Sequence, residues 1–448
     1  MPETAIAFDL TRLVTRLRHA SPSGIDRVDL AYARHVLAGR GPRFGLVSTA
    51  LGPRILDRTT FAAIVEAVAA GWVEDREAAQ DPVYGRLAAR LGGRPDANPD
   101  AAPGSRPAPG SRPAPGPEAR RAASGPWDRR RVQAETVART LRGGGPAALP
   151  PGTLYLHTSH LRLDRPERFD WLYARPDVRP VFFVHDLIPI THPEYGRPGE
   201  AGRHAERMRT IARHAHRIIV NSGDVGEQVS RHIAGLGLPG KPVTVAHLGV
   251  EPAFGRAGPR FAPERPTFLV CGTIEPRKNH LMLLQAWRAM AERKAAGEGG
   301  SGPLPRLVLV GRRGWEAENV IDMLERCAAI REPVIEVAGL STHGLAALMR
   351  SATALLMPSF TEGYGLPVVE AAASGLPVIA SDIPVHREIG GGFADFLDPL
   401  DGPGWIGAVT DLSAPGSRRH AALAARLEGY GAPSWAAHFA SAEAALTG

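Results

Sequence analysis

Two stretches of the sequence carry residue types at spacings suited to holding a diphosphate. The first is PSFTEGYGLPVVEAAASGLPVIAS, Pro358–Ser381. An apolar run, Ala354–Met357, reads as a strand ending at Pro358, and Gly363 and Gly365 then let backbone approach a ligand closely. Pro367 sits where a first helical turn needs no N–H, and Gly375 and Pro377 stop the helix. The backbone from Gly363 through Tyr364 and Gly365 to Leu366 is therefore expected to present amides at a helix N-terminus, a seat for phosphate. Glu362 and Glu370 flank it with seven residues between them. At ~1.5 Å per residue they stand roughly 10 Å apart, too far for the ~5–5.5 Å pair of a retaining glycosidase. The spacing suits gripping two ends of an elongated ligand. Taken singly, Glu370 also reads as a plain helix residue and Glu362 as a complement to the helix dipole.

The second stretch is FLVCGTIEPRKNH, Phe268–His280. A strand ends at Cys271, Gly272 turns the chain, and Arg277 and Lys278 stand side by side before a helix expected over Asn279–Arg293. Paired cations at a strand's carboxyl end are what a departing diphosphate needs, because charge accumulates there as the bond breaks. Alone, the motif would pass for a solvated loop.

The elements that position these residues alternate short apolar runs with amphipathic helices. Strands are expected at Ala5–Phe8, Phe44–Ser48, Thr153–Leu156, Val181–Val184, Ile218–Val220 and Val243–Ala246. A second series comprises Thr267–Cys271, Leu307–Val310, Val334–Val337, Ala354–Met357 and Val378–Ala380. Helices are expected over Gly24–Leu37, Gly199–His214 and Leu345–Arg350. Continuous apolar strands separated by helices indicate parallel sheets covered on both faces. The fold class is α/β, with two doubly wound, Rossmann-like domains facing across a cleft: residues 1–250, a linker at 251–266, residues 267–430, and a closing helix in 431–448 capped by Ser434 and anchored by Trp435.

At 448 residues the chain exceeds one core, and 44% hydrophobic with 22% charged residues fits a folded soluble protein. The net charge of +7 is concentrated. Between Gly92 and Arg131 lie eight arginines against four acids, in sequence that repeats PGSRPA at 103–108 and 109–114. Residues 92–126 read as a disordered Pro/Ala/Gly/Arg-rich insertion, with a solvated linker the favoured reading over a membrane or polyphosphate contact. A nucleic-acid-binding protein needs arginines interleaved with aromatics on a folded face, and these sit in proline-rich sequence, so no nucleic-acid partner is expected. The two cysteines, Cys271 and Cys327, form neither a disulfide framework nor a zinc site. No apolar run reaches membrane-span length and the first residues lack a signal-peptide pattern, so a cytoplasmic location is expected.

Together, GTIEPRKNH and EGYGLPVVEAAASGLPVI resemble glycosyltransferase family 4, a retaining family of GT-B fold. LVGRRGW (309–315) and VAGLSTHGLAALM (337–349) extend the likeness over 267–400. The resemblance implies that Arg277 and Lys278 hold a nucleotide diphosphate, that Glu362 contacts the donor sugar and Glu370 the ribose, and that the loop around Leu340 lies by the base. SPSGIDRVDLAYARH (21–35) is similar to the family's first phosphate-facing turn, pointing to Gly24. FFVHDLIPITHPEY (182–195) places His185 beside the transferred sugar, and in IIVNSGDVGEQV (218–229) Ser222 or Asp224 is assigned a helix cap. GIDRV and HDLIPITHPEY resemble bacterial polysaccharide and O-antigen mannosyltransferases. The implied enzyme moves a hexose, with GDP-mannose the leading donor, onto a glycan or lipid-linked acceptor with retention, needs no metal cofactor, and works at the inner membrane face. Other GT-B activities, a nucleotide-sugar epimerase or a phosphorylase, remain the enzymatic alternatives at this stage.

Overall fold

The computed structural model describes residues 4–17, 23–72, 76–92, 138–298 and 302–447. The expected insertion therefore lies outside the described residues, apart from Gly92, as do Ser21 and Pro22 of the first motif. The chain divides into two units, each described by itself.

Of the described residues, the first unit draws on 4–17, 23–72, 138–161 and 170–179. Its strands are β1 (Ile6–Asp9), β2 (Arg43–Thr49), β3 (Gly52–Leu56) and β4 (Leu154–His157), in the order β3-β2-β1-β4. β1 pairs parallel with β2 and β4, while β3 returns antiparallel from β2. β3 was not expected from the sequence. Its glycine and proline weaken the strand signal, and Pro53 is tolerated because β3 lies at the sheet edge. Phe8 and Phe61 stack at 5.9 Å between centroids in the buried core.

Of the described residues, the second unit takes 76–92, 162–169, 180–298 and 302–447. β5 (Arg179–Val184), β6 (Arg217–Val220) and β7 (Val243–Val245) run parallel. Six further parallel strands form one sheet: β8 (Thr267–Cys271), β9 (Arg306–Val310), β10 (Val334–Val337), β11 (Ala354–Met357), β12 (Val378–Ser381) and β13 (Asp395–Leu397). Their order is β10-β9-β8-β11-β12-β13, so the winding direction reverses between β8 and β11. β13 also escaped the sequence reading, being three half-buried residues at an edge.

Alternate residues of these strands feed two cores. Leu269, Cys271, Leu355 and Met357 face one side, and Phe268, Val270, Ala354 and Leu356 the other. That explains their unbroken hydrophobicity: with helices on both faces no position meets water. The first core also takes Tyr84 and Leu87 from helix Pro82–Arg90, with Phe254 and Phe261 from the expected linker. Helix Trp435–Thr447 packs on β6 and β7. Its cap is the expected one, Ser434 Oγ accepting from Ala437 N at 3.1 Å, and the Trp435 indole donates to Glu251.

Behind β8 the chain is tight: a Cβ on Gly311 would be driven into the Gly272 carbonyl oxygen. Gly311→Ala is therefore expected to cost roughly 3 kcal/mol and to lower the melting temperature by several degrees. Gly407→Ala, on an exposed helical face with nothing near a new Cβ, should instead stabilise by about 0.5–1 kcal/mol. Thermal unfolding of the two variants distinguishes these opposite signs.

Candidate active site

β8 and β11 are neighbours, with Ala354 paired to Phe268 and Leu355 to Leu269, so the loops after them leave from the same end of the sheet. Ligands bind open α/β sheets at such a reversal of winding. The loop after β8 carries Arg277 and Lys278 on a single 3-10 turn, Pro276–Lys278, and the long helix begins at His280, one residue later than expected. The reason is Asn279, which takes a left-handed conformation (φ 54°). Its amide donates to the carbonyls of Pro358 at 3.2 Å and Pro399 at 2.8 Å. The turn is thus tied directly to the loop after β11.

That loop supplies Glu362. Its Oε2 accepts from Arg277 at 2.6 Å, its Oε1 meets the Lys278 ammonium, and Ser359 Oγ donates to Oε1 at 2.8 Å. Arg277 also pairs with Glu275 at 2.6 Å. Glu275, Lys278 and Glu362 are buried, whereas the Arg277 side chain keeps 21% exposure and is the member of the cluster open to a ligand. Burial would raise the Glu362 carboxyl, but Arg277 and Lys278 more than offset it and hold it well below the usual carboxylate range. Burial lowers the Lys278 ammonium against the pull of Glu362, and raises Glu275 despite Arg277. The cluster contains two cations and two carboxyls.

The sequence assigns Glu362 to the donor sugar and gives no sign of this direct pairing with the two cations. Ser359 and Glu275 were likewise unnoticed, although both lie inside the two motifs. Two buried histidines complete the surroundings. His280 is pushed down to about 3 by burial and by Lys278 and Arg277, and His386 is also lowered, chiefly by burial.

The helix after Glu362 spans Leu366–Ala373, with Gly365 as its left-handed cap (φ 95°). It starts later than an N-terminus over Gly363–Leu366 implies, so Gly363, Tyr364 and Gly365 offer loop amides rather than helical ones. The Tyr364 hydroxyl is turned away, donating to the Leu248 carbonyl at 3.2 Å. Glu370 is buried within the helix, near enough to Cys271 to help burial raise that thiol. Gly272 lies against the Lys278 side chain, 3.2 Å from its Cε to a would-be Cβ.

Gly363 joins this loop to the ends of β5 and β6. A Cβ there would stand 2.5 Å from the His185 carbonyl oxygen. Asn221 donates to that same oxygen at 3.1 Å, and Ser222 Oγ donates to the Gly363 carbonyl at 3.0 Å. Ser222 also caps helix Gly223–Gly235, as expected. The His185 ring is half-buried against Phe183, 4.6 Å between centroids. Nearby, Glu388 accepts from the amides of Gly223 and Asp224 and from His247.

Leu340, after β10, packs partly buried against the first core. The next residue, Ser341, caps helix Thr342–Ser351, and its amide donates to Asp81 Oδ2 at 2.7 Å. In the first unit, Gly24 opens helix Gly24–Ala38 behind a capping box of Ser23 and Asp26. Asp26 is gripped by Arg12 at 2.6 Å and Arg16 at 3.1 Å. Asp29, one turn on, is pushed up to about 7 by burial. Among the described residues no three His, Cys, Asp or Glu side chains are grouped to hold a metal ion, and no helix is long and apolar enough to cross a membrane.

Comparison with known proteins fits this geometry. Residues 255–392 match the family Glycosyl transferases group 1. The chain is 32% identical over 223 residues to the serotype-specific mannosyltransferase WbdA of Escherichia coli, covering 46% of this chain and 26% of that protein. It is 28% identical to the O-antigen chain mannosyltransferase B of Escherichia coli, over 52% of this chain and 62% of that one. The expected resemblance to bacterial mannosyltransferases is borne out, although the chain spans only about a quarter of WbdA. Among solved structures, Anabaena HepE in complex with UDP and glucose superposes with a TM-score of 0.58 at 14% identity, covering 99% of this chain and 100% of that one. Sucrose-phosphate synthase from Thermosynechococcus elongatus gives 0.56 at 15%, covering 99% and 98%. At such identities the likeness shows the fold, and the expected GT-B α/β class is borne out.

Glu362→Gln is expected to destabilise the protein by about 3 kcal/mol at neutral pH, because it leaves the buried Lys278 ammonium without its counter-charge. The Glu362 carboxyl titrates lower in the fold than when unfolded, near its ordinary 4.5. Its contribution is therefore present above that pH and lost as pH falls toward the folded value. The stabilities of wild type and variant in denaturant titrations should begin to approach each other below about pH 4.5 and draw closer as the pH falls further.

Proposed function

We propose that the protein is a glycosyltransferase that moves a hexose from a nucleoside-diphosphate sugar to a hydroxyl acceptor with retention at the anomeric carbon. One observation carries the reading. Arg277 and Lys278 are paired with Glu362 on the loop that presents the amides of Gly363–Leu366, at the winding reversal of a sheet whose residues match a glycosyl transferase family.

Arg277, Lys278 and these amides hold the diphosphate and stabilise the charge that develops on it. The bond between the anomeric carbon and the diphosphate oxygen breaks, and the acceptor oxygen forms its bond on the same face. The acceptor proton passes to the departing diphosphate oxygen. Glu362 pairs with both cations, so donor binding exchanges part of that pairing for phosphate and frees the carboxylate to orient the sugar. The two cations supply the positive charge this step requires, and the mechanism invokes no metal. His185 is assigned to the sugar, Glu370 to the ribose hydroxyls, the segment at Leu340 to the base, and Gly272 to the room Lys278 needs. Gly24 is assigned to the donor on the resemblance alone.

The mannosyltransferase relatives support mannose, with GDP-mannose as donor, a glycan or lipid-linked oligosaccharide as acceptor, and a role in surface polysaccharide assembly. A lipid-linked acceptor implies work at the cytoplasmic face of the inner membrane, as a peripheral protein.

Thermal-shift measurements with GDP-mannose, UDP-glucose, ADP-glucose and dTDP-glucose are expected to single out one stabilising donor. Arg277→Ala and Lys278→Ala should each lower transfer from it by about 10²–10³-fold, as expected for loss of a group that meets developing charge. Near-wild-type transfer by both variants would defeat the assignment.

A further inference from the structure

His386 is fully buried on helix Pro384–Gly390. Its Nδ1 lies 3.0 Å from the Ser381 carbonyl oxygen, at the end of β12. Its Nε2 is buried and has no hydrogen-bond partner among the described residues. Burial without a partner costs free energy, so such an atom calls for an explanation.

The chemistry of that nitrogen is fixed by its neighbours. A carbonyl can only accept, so Nδ1 carries the hydrogen and Nε2 of the neutral ring holds a lone pair. Burial and the Lys278 ammonium oppose a second proton, against Glu362 and the Ser381 carbonyl. Nε2 therefore needs a donor. Phosphate oxygens lack a hydrogen to give at neutral pH, so the diphosphate itself is a poor match.

The position of the ring indicates where the donor comes from. Cδ2 and Nε2 lie 3.4 and 3.5 Å from where a Cβ on Gly365 would stand. Because residue 365 is glycine, this edge of the imidazole faces backbone of the loop that also carries Glu362. Nε2 has no exposed surface, so a hydroxylic ligand held by that loop meets this acceptor only when the Gly365 backbone shifts aside.

We propose that His386 is a donor-binding residue whose Nε2 accepts a hydrogen bond from a hydroxyl of the bound nucleotide-sugar. This rests on the function proposed above. The hydroxyl belongs to the hexose or to the ribose, and the two sources separate by experiment.

Calorimetry compares the nucleotide-sugar selected by the thermal-shift panel with its own nucleoside diphosphate. H386N keeps a donor for the Ser381 carbonyl and removes the acceptor. It is expected to bind the nucleotide-sugar about tenfold more weakly while binding the diphosphate as wild type does, which assigns the hexose hydroxyl. An equal loss for both ligands, absent with the 2′,3′-dideoxynucleotide, assigns the ribose. H386Q, which returns an oxygen toward the Nε2 position, should recover affinity to within about threefold of wild type, and it provides the comparison if H386N melts early. Unchanged affinity of H386N for both ligands, or H386Q binding as weakly as H386N, overturns the proposal. R277A keeps the two readings apart. If R277A loses both ligands while H386N loses neither, the cation site stands and His386 drops out; if R277A loses neither, the proposed function itself fails.

Discussion

The arrangement of the site depends on one carboxylate. Glu362 reaches across from the loop after β11 to Arg277 and Lys278 on the loop after β8, and Ser359 steadies the oxygen that meets the lysine. A buried ammonium without a partner would lose its proton or pull the loop open, and a buried carboxylate would fare no better. Each makes the other tolerable. The charge on two strand-end turns is thereby kept in place, and Arg277, the most exposed member, is held in a fixed orientation by a carboxylate on either side.

Strand adjacency brings these groups together, and the sequence shows adjacency poorly. Glu362 and Arg277 are 85 residues apart. Both motifs could be read as diphosphate-handling elements because the relevant signals are local: glycines, a proline at a helix start, two cations before a helix. Their direct pairing required the order β8-β11, which no local pattern specifies. The same holds for Asn279. The sequence places it as the first residue of the helix, and only the fold shows its amide reaching Pro358 and Pro399.

Elsewhere the legible part was the buried part. Strands such as Thr267–Cys271 and Ala354–Met357 are recoverable to the residue, because continuous burial forces continuous hydrophobicity. β3 and β13 were missed because edge strands answer to weaker constraints. Helix Pro82–Arg90 was also unread. Its Tyr84 and Leu87 belong to the first core, and its Asp81 cap holds the Ser341 amide next to Leu340. Nothing near residue 81 announces a partner 260 positions later.

The backbone ties of the Glu362 loop carry a mechanical consequence. Phe360 N is bound to the Arg277 carbonyl, and the Gly363 carbonyl to Ser222 Oγ, so the acid sits on a short span pinned at both ends. One anchor lies on the cation turn and the other at the end of β6. Glu362 therefore has little room to shift independently of either anchor. The β6 end and the cation turn thus share one short backbone link that bypasses both cores.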